Sequence, residues 1–223
     1  MGTYILWDVD GTLLRNGKDA RNLYHEAIEL AAGRAIANQL PHMHGKTDGQ
    51  ILTEALAIYG LEPSLHPVAS AHLDDLSRLR HEAGMRREIC PGVPDAMDAF
   101  AERGWTNALL TGNSALRARY KLAGAGLDVD AFDWKHSYFG DVSPMRSELT
   151  IRAQEELLSH AIVIIGDTPG DDIAAQAAGI PFIAVATGVY SVEDLAETDA
   201  ALVVDDLDEG LPAVLALIDG FAR

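Results

Sequence analysis

Residues 5–14 read ILWDVDGTLL, an apolar run that closes on Asp8-Val9-Asp10-Gly11. Asp-Gly between apolar segments marks a turn, because Asp10 and Gly11 both tolerate a positive φ. Two carboxylates two residues apart at the end of a buried strand are equally the material of a reaction centre. The stretch alone leaves both readings open.

Further short apolar runs place it in a larger pattern. Thr3–Trp7, Thr106–Leu110, Ala161–Ile165, Phe182–Ala186 and Ala200–Val204 read as buried parallel strands. Helical patterns lie between or after them at Val93–Arg103, Ala115–Ala123, Ser147–Leu158, Asp172–Ala178 and Leu211–Ile218. This alternation predicts an α/β fold, a Rossmann-like three-layer core around a parallel sheet. Residues 15–88 break it, with no convincing strand but helical stretches near Asp19–Ala32, Asp48–Tyr59 and Val68–Gly84. The predicted organisation is therefore a core of residues 1–14 and 89–223 with an inserted α-helical cap of residues 15–88. Its expected hinges are Leu14–Gly17 and Ile89–Pro94.

Bulk properties narrow the function. The 223 residues are 48% hydrophobic, enough for a buried core, and no stretch approaches the roughly 18 apolar residues of a membrane span. No secretory leader is apparent, and the single cysteine, Cys90, has no internal partner, so the expected location is cytoplasmic. The formal charge is −17, with no Lys or Arg from Ala153 to Ala222. Such a field disfavours nucleic acid and anionic membranes as partners. An anionic small molecule would need a local metal or a few placed cations.

Polar groups recur where the strands end. The first strand ends in Asp8 and Asp10, the second in Thr111-Gly112-Asn113-Ser114, and Ala161–Ile165 in Gly166-Asp167-Thr168-Pro169-Gly170-Asp171-Asp172. Open parallel sheets bind ligands at those carboxyl ends. Each stretch separately is also a good turn or helix cap. Together they bring several carboxylates into one crevice, where they repel unless a cation sits among them. All-oxygen ligation of this kind suits Mg²⁺, and the amides of Gly112, Asn113 and Ser114 at a helix start form an anion cradle. Phosphoryl transfer needs both devices.

With these motifs in this order, the chain resembles the haloacid dehalogenase (HAD) superfamily, specifically its phosphoglycolate phosphatase-like members with a helical cap after the first strand. Asp8-Val9-Asp10-Gly11-Thr12-Leu13 matches the first motif, Thr111-Gly112-Asn113 the second and Gly166–Asp171 the fourth. The resemblance implies a Mg²⁺-dependent phosphatase acting on a small phosphorylated metabolite. Asp8 would be the nucleophile and Asp10 the general acid and base, with a raised pKa. The metal would be held by Asp8, the Asp10 backbone carbonyl, Asp167 and Asp171, with Asp172 a rival for the last place. Thr111, Gly112 and Asn113 would bind the phosphoryl group. The third-motif Lys is absent; Arg146 stands at about the right distance before Gly166 and is the favoured substitute, with Lys121 the rival.

Within the cap, Lys46 in His44-Gly45-Lys46-Thr47-Asp48 is the candidate for a substrate tail, against the alternative of a solvated Lys before an Asp N-cap. Arg78, Arg80, Arg86 and Arg87 read as a solvated face. A sugar phosphomutase using the same aspartyl phosphate is the alternative function, and a non-enzymatic phospho-acceptor or binding module a remoter one. A monomer or homodimer is expected.

Overall fold

The structure is a computed structural model that describes residues 2–17, 20–37, 39–141, 143 and 145–221. Its centre is a parallel sheet of β1 (Thr3–Trp7), β2 (Thr106–Thr111), β3 (Tyr138–Phe139), β4 (Ala161–Gly166), β5 (Phe182–Val185) and β6 (Leu202–Val204), in the order β3-β2-β1-β4-β5-β6. The central strand shows why the sequence folds this way. Successive side chains of a strand face opposite sides, so Ile5 and Trp7 enter one apolar layer while Tyr4 and Leu6 enter the other. Helices α4 (Val93–Glu102), α5 (Ala115–Ala125) and α9 (Leu207–Phe221) cover the first layer through Phe100, Leu122 and Val214. Helices α6 (Arg146–Glu156) and α7 (Pro169–Ala178) cover the second through Leu149, Ala153 and Ala175. The three-layer α/β architecture expected from the alternation is present.

All five predicted strands are present, with ends shifted by up to two residues, and β3 is additional. It is a two-residue edge strand, too short to carry any periodicity. Helix α7 begins at Pro169, three residues before the predicted start. Thr168 and Asp171 form a reciprocal capping box, and Pro169 at the first turn lacks an N–H that would be unpaired there anyway. The segment read as a turn plus cap is itself the first helical turn. Short α8 (Val192–Leu195) lies between β5 and β6.

Residues 15–88 hold α1 (Ala20–Ala32), α2 (Asp48–Ile58) and α3 (His66–Glu82) around a core of their own, with Leu23 and Ile28, Leu52 and Leu56, and Leu73 contributed in turn. The predicted start at Asp19 lies outside the described residues. The two crossings pair with each other: Arg15 N donates to Glu88 O at 2.9 Å and Cys90 N to Leu13 O at 3.0 Å, flanking a Leu14–Ile89 bridge.

The helical unit is seated on the core by α2. Thr47, not Asp48, is the N-cap, its side chain accepting from Gln50 N at 3.0 Å. Asp48 N donates to Gly112 O at 2.7 Å and Gly49 N to Gly140 O at 2.9 Å. The Asp48 carboxylate is buried in an ion pair with Arg117 of α5, and Tyr24 of α1 donates to it as well. Arg117 also donates to Tyr24 Oη at 3.0 Å. Removing one partner of a buried pair leaves the other charge uncompensated, at a cost of about 3–5 kcal/mol. Arg117→Met is expected to destabilise the protein by that order in urea unfolding, and adding Asp48→Asn to restore part of the loss. A single-variant cost under about 1 kcal/mol, within the range of exposed pairs, would mean that this pair does not anchor the cap.

Candidate active site

Parallel pairing puts the functional strand ends side by side. Trp7 lies opposite Leu109 of β2 and Ile165 of β4, and Asp8 N extends the ladder by donating to Ile165 O at 2.9 Å. Just past these strand ends, Asp8 and Asp167 come together across β1 and β4. The capping box of α7 turns Asp171 into the same space. Gly11 takes φ +91° and folds the chain after β1 back on itself, while no described non-glycine residue, Asp10 included, has a positive φ. The turn and the acidic cluster coincide.

Asp8, Asp167 and Asp171 are buried, with ligand oxygens within 4.8 Å of one another. Arg146, at the first turn of α6, is buried with them. Its Nη2 lies 2.8 Å from Asp8 Oδ1, 2.5 Å from Asp171 Oδ1 and 3.0 Å from the Leu110 carbonyl. Arg146 thus reaches the nucleophile candidate itself, and its Nε has no partner among the described residues. The open fork onto a phosphate expected from sequence is here partly spent on carboxylates. Asp167 accepts from Thr12 Oγ1 at 3.1 Å, and Asp171 Oδ2 from Thr168 N at 3.0 Å and Thr168 Oγ1 at 2.8 Å. Asp171 Oδ1 is close to Arg146 but lacks a hydrogen bond of good geometry. Asp172 faces elsewhere, accepting from Gln176 Nε2 and Asp199 N, so of the two rivals it is Asp171 that joins the cluster.

Electrostatics follow from this crowding. Burial first, then Asp171 and Asp10, push Asp8 up to about 6 against the opposing pull of Arg146. Burial and the charges of Asp8 and Asp171 hold Asp167 well above the ordinary carboxylate range. Three carboxylates face one guanidinium, so full ionisation leaves two negative charges that a divalent cation would neutralise. The raised pKa values, the all-oxygen donor set and the unsatisfied Asp171 Oδ1 fit such an ion.

Asp10 stands apart from the cluster. Its Oδ2 accepts from Lys121 Nζ and from Asn113 Nδ2, the latter at 2.8 Å, and Lys121 also donates to Asn113 Oδ1 at 2.6 Å. Burial would raise its pKa, but Lys121 and Arg87 overcome that and hold it below the ordinary range. This corrects the raised pKa expected of Asp10. The Lys121 ammonium is itself pulled down to about 8, because burial outweighs its carboxylate partner, and it stays charged at neutral pH. The rivals for the third-motif place are both in the site, each on a different acid.

Two further expectations change. The amides at the start of α5 are not an open cradle: Ser114 N donates to Asp48 Oδ2 at 3.0 Å and Asn113 N to Thr111 Oγ1 at 3.3 Å. The anion at that helix start is the cap's own Asp48. Lys46 lines the site, but its ammonium is paired with Glu54 Oε2 at 2.5 Å. Thr111, Gly112, Asn113, His44, Lys46 and Arg146 line, with Asp8, Asp10 and Asp167, a cavity of about 330 Å³ between cap and core.

Comparison with known proteins bears on this geometry. The HAD-hydrolase-like family model matches residues 144–210. Phosphoglycolate phosphatase of Rhodospirillum rubrum is 30% identical over 214 residues, covering 91% of this chain and 86% of that protein. The chain belongs to the HAD-like hydrolase family. It is a phosphatase of that family. In fold it is similar to a hydrolase from Pseudomonas syringae (TM-score 0.71, 17% identity, all of both chains). It is also similar to CbbY from Rhodobacter sphaeroides in complex with phosphate (TM-score 0.67, 19% identity, 94% and 96% covered).

Sequence reasoning gave Thr12 of this HAD-like phosphatase no role and placed Arg87 on a solvated face. Thr12 follows Asp-Gly in the first motif, which is a usable signal. Arg87 lies outside every motif, and only folding brings its charge to Asp10. Because Lys121 dominates the lowering of the Asp10 pKa, Lys121→Met should let burial raise that carboxyl to or above its ordinary value of about 3.9. Carbon-13 NMR titration of the side-chain carboxyl reads this directly, and an unmoved titration would refute the assignment.

Proposed function

We propose that the chain hydrolyses a small phosphomonoester through an aspartyl phosphate on Asp8. The observation that carries this reading is the buried Asp8–Asp167–Asp171 cluster, bound to Arg146 at the carboxyl ends of β1 and β4. A carboxylate nucleophile needs only to be ionised and aimed, and the Arg146 Nη2 contact with Asp8 Oδ1 leaves Asp8 Oδ2 for attack on phosphorus. The ester P–O bond breaks, its electron pair goes to the leaving oxygen, and Asp10 supplies the proton. Water then attacks phosphorus, Asp10 takes its proton, and the P–O bond to Asp8 breaks to release inorganic phosphate. Asp10 as it stands is ionised, the form that accepts the proton of the second step. An arriving phosphate dianion raises a neighbouring carboxyl pKa, which prepares Asp10 for the first.

Asp8, Asp167, Asp171 and the Asp10 carbonyl would hold Mg²⁺, which supplies charge neutralisation at the phosphoryl oxygens. Thr111, Gly112 and Asn113 line the cavity where the phosphoryl group would sit. Phosphoglycolate, named for the Rhodospirillum rubrum relative, is the first substrate to test. Its carboxylate would approach Lys46 if Glu54 yields its place.

Asp8→Asn should abolish phosphate release from an aryl phosphate with the fold intact, and Asp10→Asn should slow it by about 10²–10⁴-fold, most for poor leaving groups. Retained turnover in Asp8→Asn would end the covalent reading. Steady multiple turnover to free phosphate is expected of a hydrolase; transfer to a second hydroxyl without release would make the chain a mutase.

Mg²⁺ binding has its own signature in stability. A carboxyl whose folded pKa is raised holds its proton more tightly when folded, so the metal-free protein loses stability as pH rises from about 4 to about 6, the Asp8 window. Mg²⁺ should reverse this, raising Tm little at pH 5 and by the equivalent of about 2.7 kcal/mol at pH 7.5 when present at about 100 times its Kd. EDTA should remove the gain and Asp167→Ala should prevent it. A Tm indifferent to Mg²⁺ at every pH would refute the metal assignment.

A further inference from the structure

Beside the reaction cavity, and sharing Asn16, Gly17, Arg117 and Lys121 with it, lies a second cavity of about 440 Å³. It is formed where the two crossings meet α3 and α5. Its wall is cationic, with Arg15, Arg80, Arg86, Arg87, Arg117 and Lys121, and among the described lining residues Glu88 is the only acidic group. In a chain of net charge −17 that is a pronounced local reversal.

Internal pairing accounts for only part of it. Arg117 is spent on Asp48, Lys121 on Asp10 and Arg80 on Glu26. Arg15 lies 4.0 Å from Glu88, both largely exposed. Neither the Arg86 nor the Arg87 side chain makes a hydrogen bond or ion pair with any described residue. Both are expected from sequence on a solvated cap face; Arg86 is indeed exposed and Arg87 partly buried, and both stand in the second crossing at the wall of the cavity. Arg87 is held against the first crossing, where a Cβ on Gly17 would fall 1.6 Å from its Nη1. From there its charge acts on both Asp10 and Lys121. It lines the second cavity, and its charge reaches the acid of the first.

We propose that this chamber receives a second phosphate-type dianion carried by the substrate, at the end opposite the phosphoryl group that meets Asp8. Guanidinium groups without carboxylate partners fit a dianion through paired N–H donors. The two cavities adjoin at Asn16, Gly17, Arg117 and Lys121, so a molecule with an anion at each end would reach from one to the other across that shared wall. The substrate class is then a bisphosphorylated metabolite in place of one whose tail is neutral or a single carboxylate. This deepens the phosphomonoester reading and rests on it.

Alkane diphosphonates test it without turnover, since a C–P bond offers no ester oxygen to leave. Calorimetric titration of the wild-type protein with Mg²⁺ should compare propane-1,3- to hexane-1,6-diphosphonate with the matching alkyl monophosphonates. At least one diphosphonate is expected to bind about tenfold tighter, the worth of one charge-assisted hydrogen bond. That preference should shrink in Arg86→Ala and in Arg87→Ala, vanish in the double variant, and partly survive in Arg86→Lys. Equal affinities at every length, or a preference untouched by the double variant, would overturn the proposal. So would free sulfate that binds the chamber and speeds hydrolysis of an aryl phosphate, because the anion would then be an effector. An Asp8→Asn protein that still turned over would defeat the covalent mechanism and leave the binding ratio intact, so the two failures are separable.

Discussion

A guanidinium buried among three carboxylates is the interaction on which this site depends. Arg146 touches Asp8 and Asp171 through one nitrogen and adds its charge to the field around Asp167. Without it, three desolvated acids would face each other at the edge of the sheet, and their protonation would be the cheapest relief. With it, the three acids when ionised carry an excess of two negative charges, which a divalent cation would match and which otherwise shows as the raised pKa values of Asp8 and Asp167. The parallel sheet makes the arrangement possible. Neighbouring β1 and β4 end at the same level, α7 starts at once with a capping box that aims Asp171 inward, and α6 starts with Arg146 itself.

The same physics seats the cap. The start of α5 presents N–H groups without helical partners, and the cap answers the one at Ser114 with the Asp48 carboxylate, whose charge is in turn matched by Arg117 and bonded by Tyr24. An anion-binding device is thus used as a docking device. The consequence for the reaction cavity is a division of labour. Ser114 and Arg117 serve the cap, while Thr111, Gly112, Lys121 and Arg146 remain at the wall nearest the acids. The cap closes on the second motif through its own charge, without needing a ligand to bridge the gap.

What the sequence made legible is what period and punctuation encode. Strand β1 with its trailing acids, the strand ends at Thr111 and Gly166, and the helical insertion all follow from apolar runs broken by turn and cap residues. The edge strand β3 was not legible, because two residues carry no period. Pairing was harder still. Nothing local tells that Lys121 faces Asp10, so the raised Asp10 pKa was expected from its acid–base role without regard to a cation 111 positions away. The competition between Arg146 and Lys121 arose the same way: one motif position was sought, while the fold supplies two cations to two acids. For Lys46 the partner was near, Glu54 one helix turn or two along α2, but an anionic tail and a Glu are interchangeable on paper.

Charge distribution ties these observations together. No Lys or Arg lies between Ala153 and Ala222, so every cation at the site comes from the first 152 residues. The second half contributes Asp167 and Asp171 and an acidic surface. A phosphorylated molecule approaching that surface is repelled, but screening confines the repulsion to about 8 Å at physiological ionic strength. Attraction must therefore be local, and the structure concentrates it at the seam of cap and core, where the crossings carry Arg15, Arg86 and Arg87 and α5 carries Arg117 and Lys121. Each of these elements borders the helical insertion. The cap then does more than exclude water from the acids: its attachment builds the one strongly cationic wall lining the described cavities, and so sets which anions reach Asp8.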